Sequence, residues 1–242
     1  PPTGFKALNT QNLPDATIKK GNQYFDATTY TGTGSSQSIT NNGSMQPDLV
    51  WVKGRSGATD HAIYDAVRGV QKQLESNTTT AETTETTGLT AFNSNGFTVG
   101  ALAQMNTNAA TYAAWQWKES VTAGFDIVTY TGNGSTQTVN HSLGVTPSFI
   151  VIKNRANASS YWTVYHKSVP TSYLTLNSTS AASAGGWISP TSSNFSLTSY
   201  SSWTGENGSS HVAYLFAEVA GFSKFGSVTM NGSADGAFVF TG

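Results

Sequence analysis

The chain repeats itself with an offset of one hundred residues, and this repeat constrains the fold more than any other feature. Residues 25–55 align without a gap on residues 125–155, and 12 of the 31 aligned positions are identical. The likeness continues more loosely to residues 112–119 and 211–218. A copy of about a hundred residues has the size of a domain rather than of a solenoid repeat. We therefore predict two tandem domains related by internal duplication.

The repeat also sets the expected domain boundaries. We place the first copy at residues 23–121 and the second at 122–220. Residues 225–233 restate the opening of the second copy with two residues deleted, so we expect 221–242 to begin a truncated third copy. Residues 1–22 precede the first copy, and we expect them to be a linker from a preceding domain.

The pattern within each copy predicts strands rather than helices. Residues 49–52 and 149–152 are unbroken apolar runs, as in a strand that is covered on both faces. Residues 161–165 and 212–216 are rich in aromatic and β-branched side chains, which favour a pleated sheet. Gly-containing turns separate these runs. We predict an all-β chain of two tandem antiparallel β-sandwiches with a jelly-roll-like arrangement.

Residues 63–74 are open to two interpretations. Ile63, Val67, Val70 and Leu74 have helical spacing. Gly69 argues against a helix, because Gly in a helix costs about 1 kcal/mol relative to Ala. The aligned part of the second copy has the character of a strand. We therefore favour a strand. The low-complexity residues 76–87 lack an apolar period, so we expect a long exposed loop there.

Composition excludes several classes of function. Lys and Arg total 12 against 13 Asp and Glu, and this lacks the basic surplus that nucleic-acid binding needs. The chain has no Cys, so disulfides and thiolate chemistry are excluded. No apolar run approaches the ~18 residues of a membrane span, and we expect no membrane insertion. Charged residues are only 10%, and a hydroxyl- and amide-rich surface is typical of extracellular or particle-bound β proteins.

Motifs for catalysis are missing from the sequence. No G-x-S-x-G elbow occurs, and the His residues show no metal-ligand spacing. Asp60 and His61 come nearest to a catalytic pair, but an exposed turn before a strand explains them more simply. We therefore expect a protein that is not an enzyme, with no catalytic, cofactor-binding or metal-binding residues.

Aromatic residues in the second copy are the first candidates for ligand contact. Trp162, Tyr165, Trp187, Tyr200 and Trp203 lie among polar residues. Sugar-binding sites use such rings as stacking platforms beside hydroxyl and amide groups. The core uses the same residue types, and strand spacing favours at least partial burial of Trp162 and Tyr165. Tyr200 and Trp203 are the better surface candidates.

Basic residues are the second candidates. Lys153 and Arg155 repeat Lys53 and Arg55 directly after the central apolar run, with side chains on one face. They could bind an anionic glycan, although a role in ending the strand and pairing with carboxylates is simpler. The candidate ligand contacts are therefore Trp162, Tyr165, Tyr200, Trp203, Lys153 and Arg155.

The longer motifs of the chain are residues 2–14, 30–34, 46–53, 65–69 and 113–118. They resemble motifs of tail-fibre-like proteins from marine bacteriophages. In that family a segment like residues 2–14 follows a SPRY-like β domain. Residues 42–45 depart from the resemblance, because an aromatic-containing turn is more usual there. The resemblance covers nearly the whole chain.

The resemblance implies a structural or host-recognition component of a virion, exposed at the particle surface. Its partners would be other virion subunits, with a homotrimer as one candidate, and a host cell-surface glycan or protein. The alternative is a carbohydrate-binding module of a secreted adhesin or hydrolase. A glycan depolymerase is a third hypothesis, which would require turnover of a polysaccharide.

Overall fold

The fold is an all-β sandwich, as the sequence predicts. The computed structural model describes residue 3 and residues 16–185, 187–197, 201–233 and 235–239. Its strands fall into two groups, which we call the first unit (residues 25–117) and the second unit (residues 125–216). Every named strand pair is antiparallel, and no sheet draws strands from both units.

The first unit consists of a four-stranded sheet in the order β1-β9-β3-β4, a three-stranded sheet in the order β2-β8-β7, and the short pair β5-β6. A four-residue helix, α1 (Ala103–Asn106), precedes β9. The strands are β1 (Phe25–Thr31), β2 (Gln37–Thr40), β3 (Leu49–Gly54), β4 (Ala62–Asp65), β5 (Lys72–Gln73), β6 (Thr83–Thr84), β7 (Leu89–Asn93), β8 (Gly96–Val99) and β9 (Thr111–Trp117).

The second unit consists of a six-stranded sheet in the order β10-β18-β12-β13-β14-β15 and a three-stranded sheet in the order β11-β17-β16. The strands are β10 (Phe125–Thr131), β11 (Gln137–Asn140), β12 (Phe149–Asn154), β13 (Thr163–His166), β14 (Ser172–Thr175), β15 (Ser183–Ala184), β16 (Ile188–Pro190), β17 (Asn194–Leu197) and β18 (Ser210–Phe216).

The two units pair their strands in the same register. Phe25 lies opposite Trp117 as Phe125 lies opposite Phe216, and the two ladders then run on in step to Thr31 and Thr131. Both units are nested, because the first strand pairs with the last and the second with the next to last. Internal duplication, and the domain boundaries drawn from it, remain predictions from the sequence.

Alternating side chains of the large sheets supply three apolar layers. Val50 and Val52 of β3 face the small sheet of the first unit, and Ile150 and Ile152 of β12 face that of the second. The other faces of the two large sheets meet in a third cluster that contains Leu49 and residues of both units. These four sheets therefore stack in this order: the small sheet of the first unit, its large sheet, the large sheet of the second unit, and the small sheet of the second unit. This stacking explains why the central strands are apolar on both faces, as the sequence predicts.

Residues 63–74 contain no helix. Ile63 lies in β4 and bridges to Leu74, so the strand interpretation is confirmed for this part. Val67 and Val70, between them, are 44% and 40% exposed. The helical spacing arose because the two buried residues of adjacent strands lie eleven positions apart, with turn residues between them.

Residues 76–87 are irregular apart from the two-residue strand β6, and six of the twelve are exposed, so the expected loop is present but is exposed only in part. We call residues 75–84 the strap, because they cross from the first unit onto the second. Arg155 of the second unit donates to both carboxylate oxygens of Glu82, each at 2.8 Å. The Glu82 nitrogen donates to the Arg155 carbonyl at 2.8 Å. Side chains of the second unit thus hold a segment that has no apolar period of its own.

A buried polar network joins the same two units. The Arg68 side chain is fully buried and forms ion pairs with Asp65 and with Glu82. Tyr214 of the second unit donates its hydroxyl to Asp65 Oδ2 at 2.7 Å. Ion pairs of this kind require fixed geometry, because each buried charge has lost its hydration. The network therefore fixes how the two units meet.

An apolar cavity of about 360 Å³ lies beside this network, between the units. Phe25, Phe125 and Phe225, which hold aligned sequence positions, all line it. Beyond Phe225 the described residues form no strand, and Met230 and Phe238 are 75% and 91% exposed.

Candidate functional site

Four aromatic rings form one cluster at the surface of the second unit, and we call it the ring cluster. Tyr173 stacks on Trp187 with ring centroids 4.2 Å apart. Trp203 makes edge contacts with Tyr173 at 6.0 Å and with Trp187 at 5.9 Å. Tyr161 extends the cluster with an edge contact to Trp203 at 5.0 Å. The four rings therefore form a continuous aromatic surface.

Each ring of the cluster is positioned by a different segment. Tyr173 lies in β14, Tyr161 lies two residues before β13, and Trp187 directly precedes β16. The Trp203 nitrogen donates to Ser201 Oγ at 3.1 Å, within the turn that leads to β18. Because strands and short turns hold all four side chains, the rings are ordered before any ligand arrives.

Glycine at position 185 makes room for the Trp187 ring. A Cβ atom there would lie 2.9 Å from Trp187 Nε1, and the backbone has a φ of +123°. Few residues other than Gly adopt this conformation. Gly185 is therefore needed both for this backbone conformation and for the position of the Trp187 ring.

The rings are accessible as well as ordered. Tyr161 is 37% exposed, and the other three rings are half-buried. Small polar residues lie beside them, namely Ser172 and Ser202 in the sequence and Ser183 opposite Tyr173 in the β14–β15 pair. An apolar platform with a rim of hydroxyl groups suits a ligand that has both apolar faces and hydroxyl edges.

The first unit has no such cluster at the aligned positions. Four structural correspondences fix the alignment here, namely Ala62 with Thr163, Leu74 with Leu174, Leu89 with Ile188 and Met105 with Thr204. The residues aligned with the four rings are then Asp60, Gln73, Gly88 and Gln104.

Polar groups occupy the corresponding place in the first unit. Gln73 Nε2 donates to Gln104 Oε1 at 2.8 Å, and Tyr64 donates its hydroxyl to Gln73 Oε1. A Cβ atom on Gly88 would lie 2.1 Å from the Tyr64 hydroxyl oxygen, so this arrangement leaves no space for a ring at position 88. The ring cluster is thus specific to the second unit.

Two of the aromatic candidates lie in the interior and cannot contact a ligand. Trp162 is fully buried between the units, where it stacks on Tyr214 and its Nε1 donates to the Glu75 carbonyl at 2.8 Å. Tyr165 is buried in the core of the second unit. Both roles follow from strand alternation, which turns these side chains inward. Tyr200 lies outside the described residues.

Both basic candidates hold the strap instead of facing solvent. Lys153 is fully buried, and its ammonium donates to the Thr79 carbonyl at 2.8 Å and to the Ser160 carbonyl at 2.6 Å. Burial lowers the pKa of Lys153 to about 8. Arg155 is engaged by Glu82 of the strap. The simpler interpretation, pairing with a carboxylate, therefore describes Arg155, and neither residue offers a free cation to an anionic glycan.

Of the candidate ligand contacts among the described residues, Trp203 is the one that lies in the ring cluster. Sequence reasoning also singled out Trp187 as part of the aromatic group, but it missed Tyr161 and Tyr173. Tyr161 could have been found from its neighbour, because adjacent residues of an extended chain face opposite sides. Nothing in the sequence around Tyr173 marks its contact with Trp187, which depends on the fold.

Other site types receive no support from the described residues. Among them, no group of three or more His, Asp or Glu side chains is arranged to hold a metal ion. In the same part of the chain, none of the helices has the length and apolar character needed to cross a bilayer.

Comparison with known proteins gives a family but no activity. No curated protein matches the chain. The model of one family, described as a domain of unknown function (DUF7483), matches residues 20–242 and so includes both units with the ring cluster. The chain belongs to the DUF7483 family.

Proposed function

We propose that this protein is a non-enzymatic attachment protein that binds a glycan through the ring cluster. The observation that carries the proposal is the surface of four contacting rings on the second unit, at positions where the first unit has small or polar residues. A cluster formed only to fill a core would be needed in both units. Its presence in one unit favours a role in binding.

The chemistry of the surface favours sugars over other ligands. The C–H faces of a pyranose ring pack on aromatic faces, while its hydroxyl groups exchange hydrogen bonds with hydroxyl and amide side chains. Lys153 and Arg155, which precede Tyr161 in the chain, are engaged within the protein, and Lys167, between Tyr161 and Tyr173, forms an ion pair with Glu218. An uncharged sugar therefore fits this surface better than an anionic one.

The resemblance to tail-fibre-like bacteriophage proteins supports a virion as the setting of this binding. A chain with 10% charged residues, no Cys and stacked β-sandwiches agrees with a structural component at a particle surface. In this proposal the second unit contacts a host-surface glycan, and other virion subunits hold the chain in the particle. A carbohydrate-binding module of a secreted adhesin or hydrolase would use the same ring cluster in a different setting.

A glycan array followed by calorimetric titration of the best polysaccharide tests the proposal. The informative variant is Trp203→Gln, which introduces the residue that the first unit has at the aligned position. Phe92→Gln is the matched control, because Phe92 is a half-buried ring of the first unit that packs against the core of that unit.

We expect Trp203→Gln to weaken binding at least tenfold and Phe92→Gln to leave it within about twofold. Tenfold corresponds to about 1.4 kcal/mol, which is within the range expected for one aromatic contact and its buried area. Equal binding by the two variants would contradict the proposal. Release of reducing ends from the bound polysaccharide would replace it with the depolymerase hypothesis.

A further inference from the structure

A polar cleft lies next to the ring cluster, at the junction of the two units, and we call it the junction cleft. It has a volume of about 690 Å³. Both units line it: the residues are Trp51, His61, Ser76, Asn77, Tyr161, Leu176, Asn177, Ser178 and Thr179. Among these described residues none is Asp, Glu, Lys or Arg, so the lining is polar with hardly any charge.

Tyr161 connects the junction cleft to the ring cluster. Its ring lines the cleft and also contacts Trp203, at a centroid distance of 5.0 Å. Trp51 of the first unit provides a second ring in the cleft wall. A ligand lying on the cluster can therefore continue over Tyr161 into the cleft without crossing a barrier of charge.

His61 of the first unit lines this cleft and carries a hydrogen-bond donor. Trp51 Nε1 donates to His61 Nδ1 at 2.8 Å, so Nδ1 is an acceptor and the neutral imidazole carries its proton on Nε2. Burial and the nearby Lys53 lower the pKa of His61, which keeps the ring neutral near pH 7. Asn77 Oδ1 accepts from the His61 nitrogen at 2.8 Å and fixes the backbone there.

Amide groups from both units are held in the same cleft. Asn77 Nδ2 donates to Asp60 Oδ1 at 2.6 Å. In the second unit, Asn177 Oδ1 accepts from the Trp162 nitrogen and Nδ2 donates to the Thr78 carbonyl, both at 3.0 Å. Each amide nitrogen has a second hydrogen, and each amide oxygen has a second lone pair. These ordered donors and acceptors are suited to the hydroxyl groups of a sugar.

We propose that the junction cleft is a second sugar subsite, continuous with the ring cluster, and that the ligand is an uncharged oligosaccharide spanning both units. This inference rests on the proposed function of the ring cluster. It adds the length of the ligand and a binding role for the first unit. It also explains a use for the strap, since the strap supplies Ser76 and Asn77 to the cleft and is itself held by the second unit.

The test is the dependence of affinity on oligosaccharide length. Cello-, manno- and xylo-oligosaccharides of two to six residues are titrated into the whole chain by calorimetry. Two variants alter the cleft without touching the cluster: His61→Ala removes the Nε2 donor, and Thr179→Arg places a long side chain at an exposed position of the cleft wall. Thr129→Arg, at an exposed position of β10 away from the cleft, is the control.

For the unaltered chain we expect affinity to rise at least tenfold between the disaccharide and the longer members of the ladder that binds. Both cleft variants should bind the disaccharide as the unaltered chain does, but lose most of that rise. Thr129→Arg should retain it.

A flat length dependence in the unaltered chain, or an unchanged rise in both cleft variants, would overturn the inference while leaving the ring cluster as a binding site. If Trp203→Gln loses disaccharide binding while both cleft variants keep the full rise of affinity with length, the ring cluster binds sugar and the cleft does not. If no ladder binds at all, or if Trp203→Gln binds normally, the proposed function fails as well.

Discussion

Replacing Glu82 by Gln should loosen the junction between the units. The Glu82 carboxylate lies 2.9 Å from Arg68 Nη1 and 2.8 Å from Arg155 Nε. Its side chain is 12% exposed, and that of Arg68 is fully buried. Although burial alone would raise the pKa of Glu82, hydrogen bonds from Arg155 and Arg68 outweigh it and lower that pKa. Glu82→Gln keeps the shape and removes the charge that these two cations face.

The expected loss is about 2 kcal/mol of unfolding free energy. Removing one partner of a fully buried ion pair costs about 3–5 kcal/mol. Arg68 keeps Asp65, and the Arg155 side chain is 21% exposed and can regain water, so the cost should fall below that range. Because the lost contacts join the units, the loss should appear in global unfolding and not only in the strap.

Urea denaturation followed by tryptophan fluorescence measures this loss. Glu85→Gln is the control, because Glu85 lies three residues further along and forms no ion pair in the described part of the chain. It should change stability by less than about 0.5 kcal/mol. The reasoning is refuted if Glu82→Gln costs no more than Glu85→Gln.

Two further predictions concern the dependence of stability on pH. Burial lowers the pKa of His211 to about 4, from 6.5, so the unfolded chain binds a proton that the folded chain does not between pH 6.5 and 4. The free energy of unfolding should fall by about 3 kcal/mol as pH drops through that window. The first unit has Tyr112 at the position aligned with His211. His211→Tyr should therefore remove this loss, as measured by thermal unfolding at acid pH. Burial, then Asp126, raises the pKa of Glu119 from 4.5 to about 7, so here the folded chain holds the extra proton. The stability that this proton contributes should be lost as pH rises from 4.5 to 7, and Glu119→Gln should abolish that loss. An unchanged dependence of the unfolding free energy on pH in His211→Tyr or in Glu119→Gln would contradict the role given to that residue.

Strand positions could be predicted because they depend on local patterns. The apolar runs at residues 49–52 and 149–152 are β3 and β12, and both faces of these strands are covered as the runs indicate. The covering of the second face by the other unit could not be foreseen, because each copy alone gives no information about its neighbour.

The site was predicted only in part, because side-chain type does not determine burial. Trp162 and Trp203 have the same chemistry, yet strand alternation places one between the sheets while a turn places the other at the surface. Residues 76–87 need no hydrophobic period to be held in place, because Arg155 and Lys153, which are distant in the sequence, bind the strap. Contacts between distant segments leave little trace in a local sequence pattern.

A crystal structure of the whole chain with the tightest-binding oligosaccharide tests the central claim most directly. The account predicts a pyranose ring against the faces of Trp187 or Trp203, with the chain of sugars continuing past Tyr161 towards His61. Sugar density confined to the first unit, or to a surface away from these rings, would contradict it.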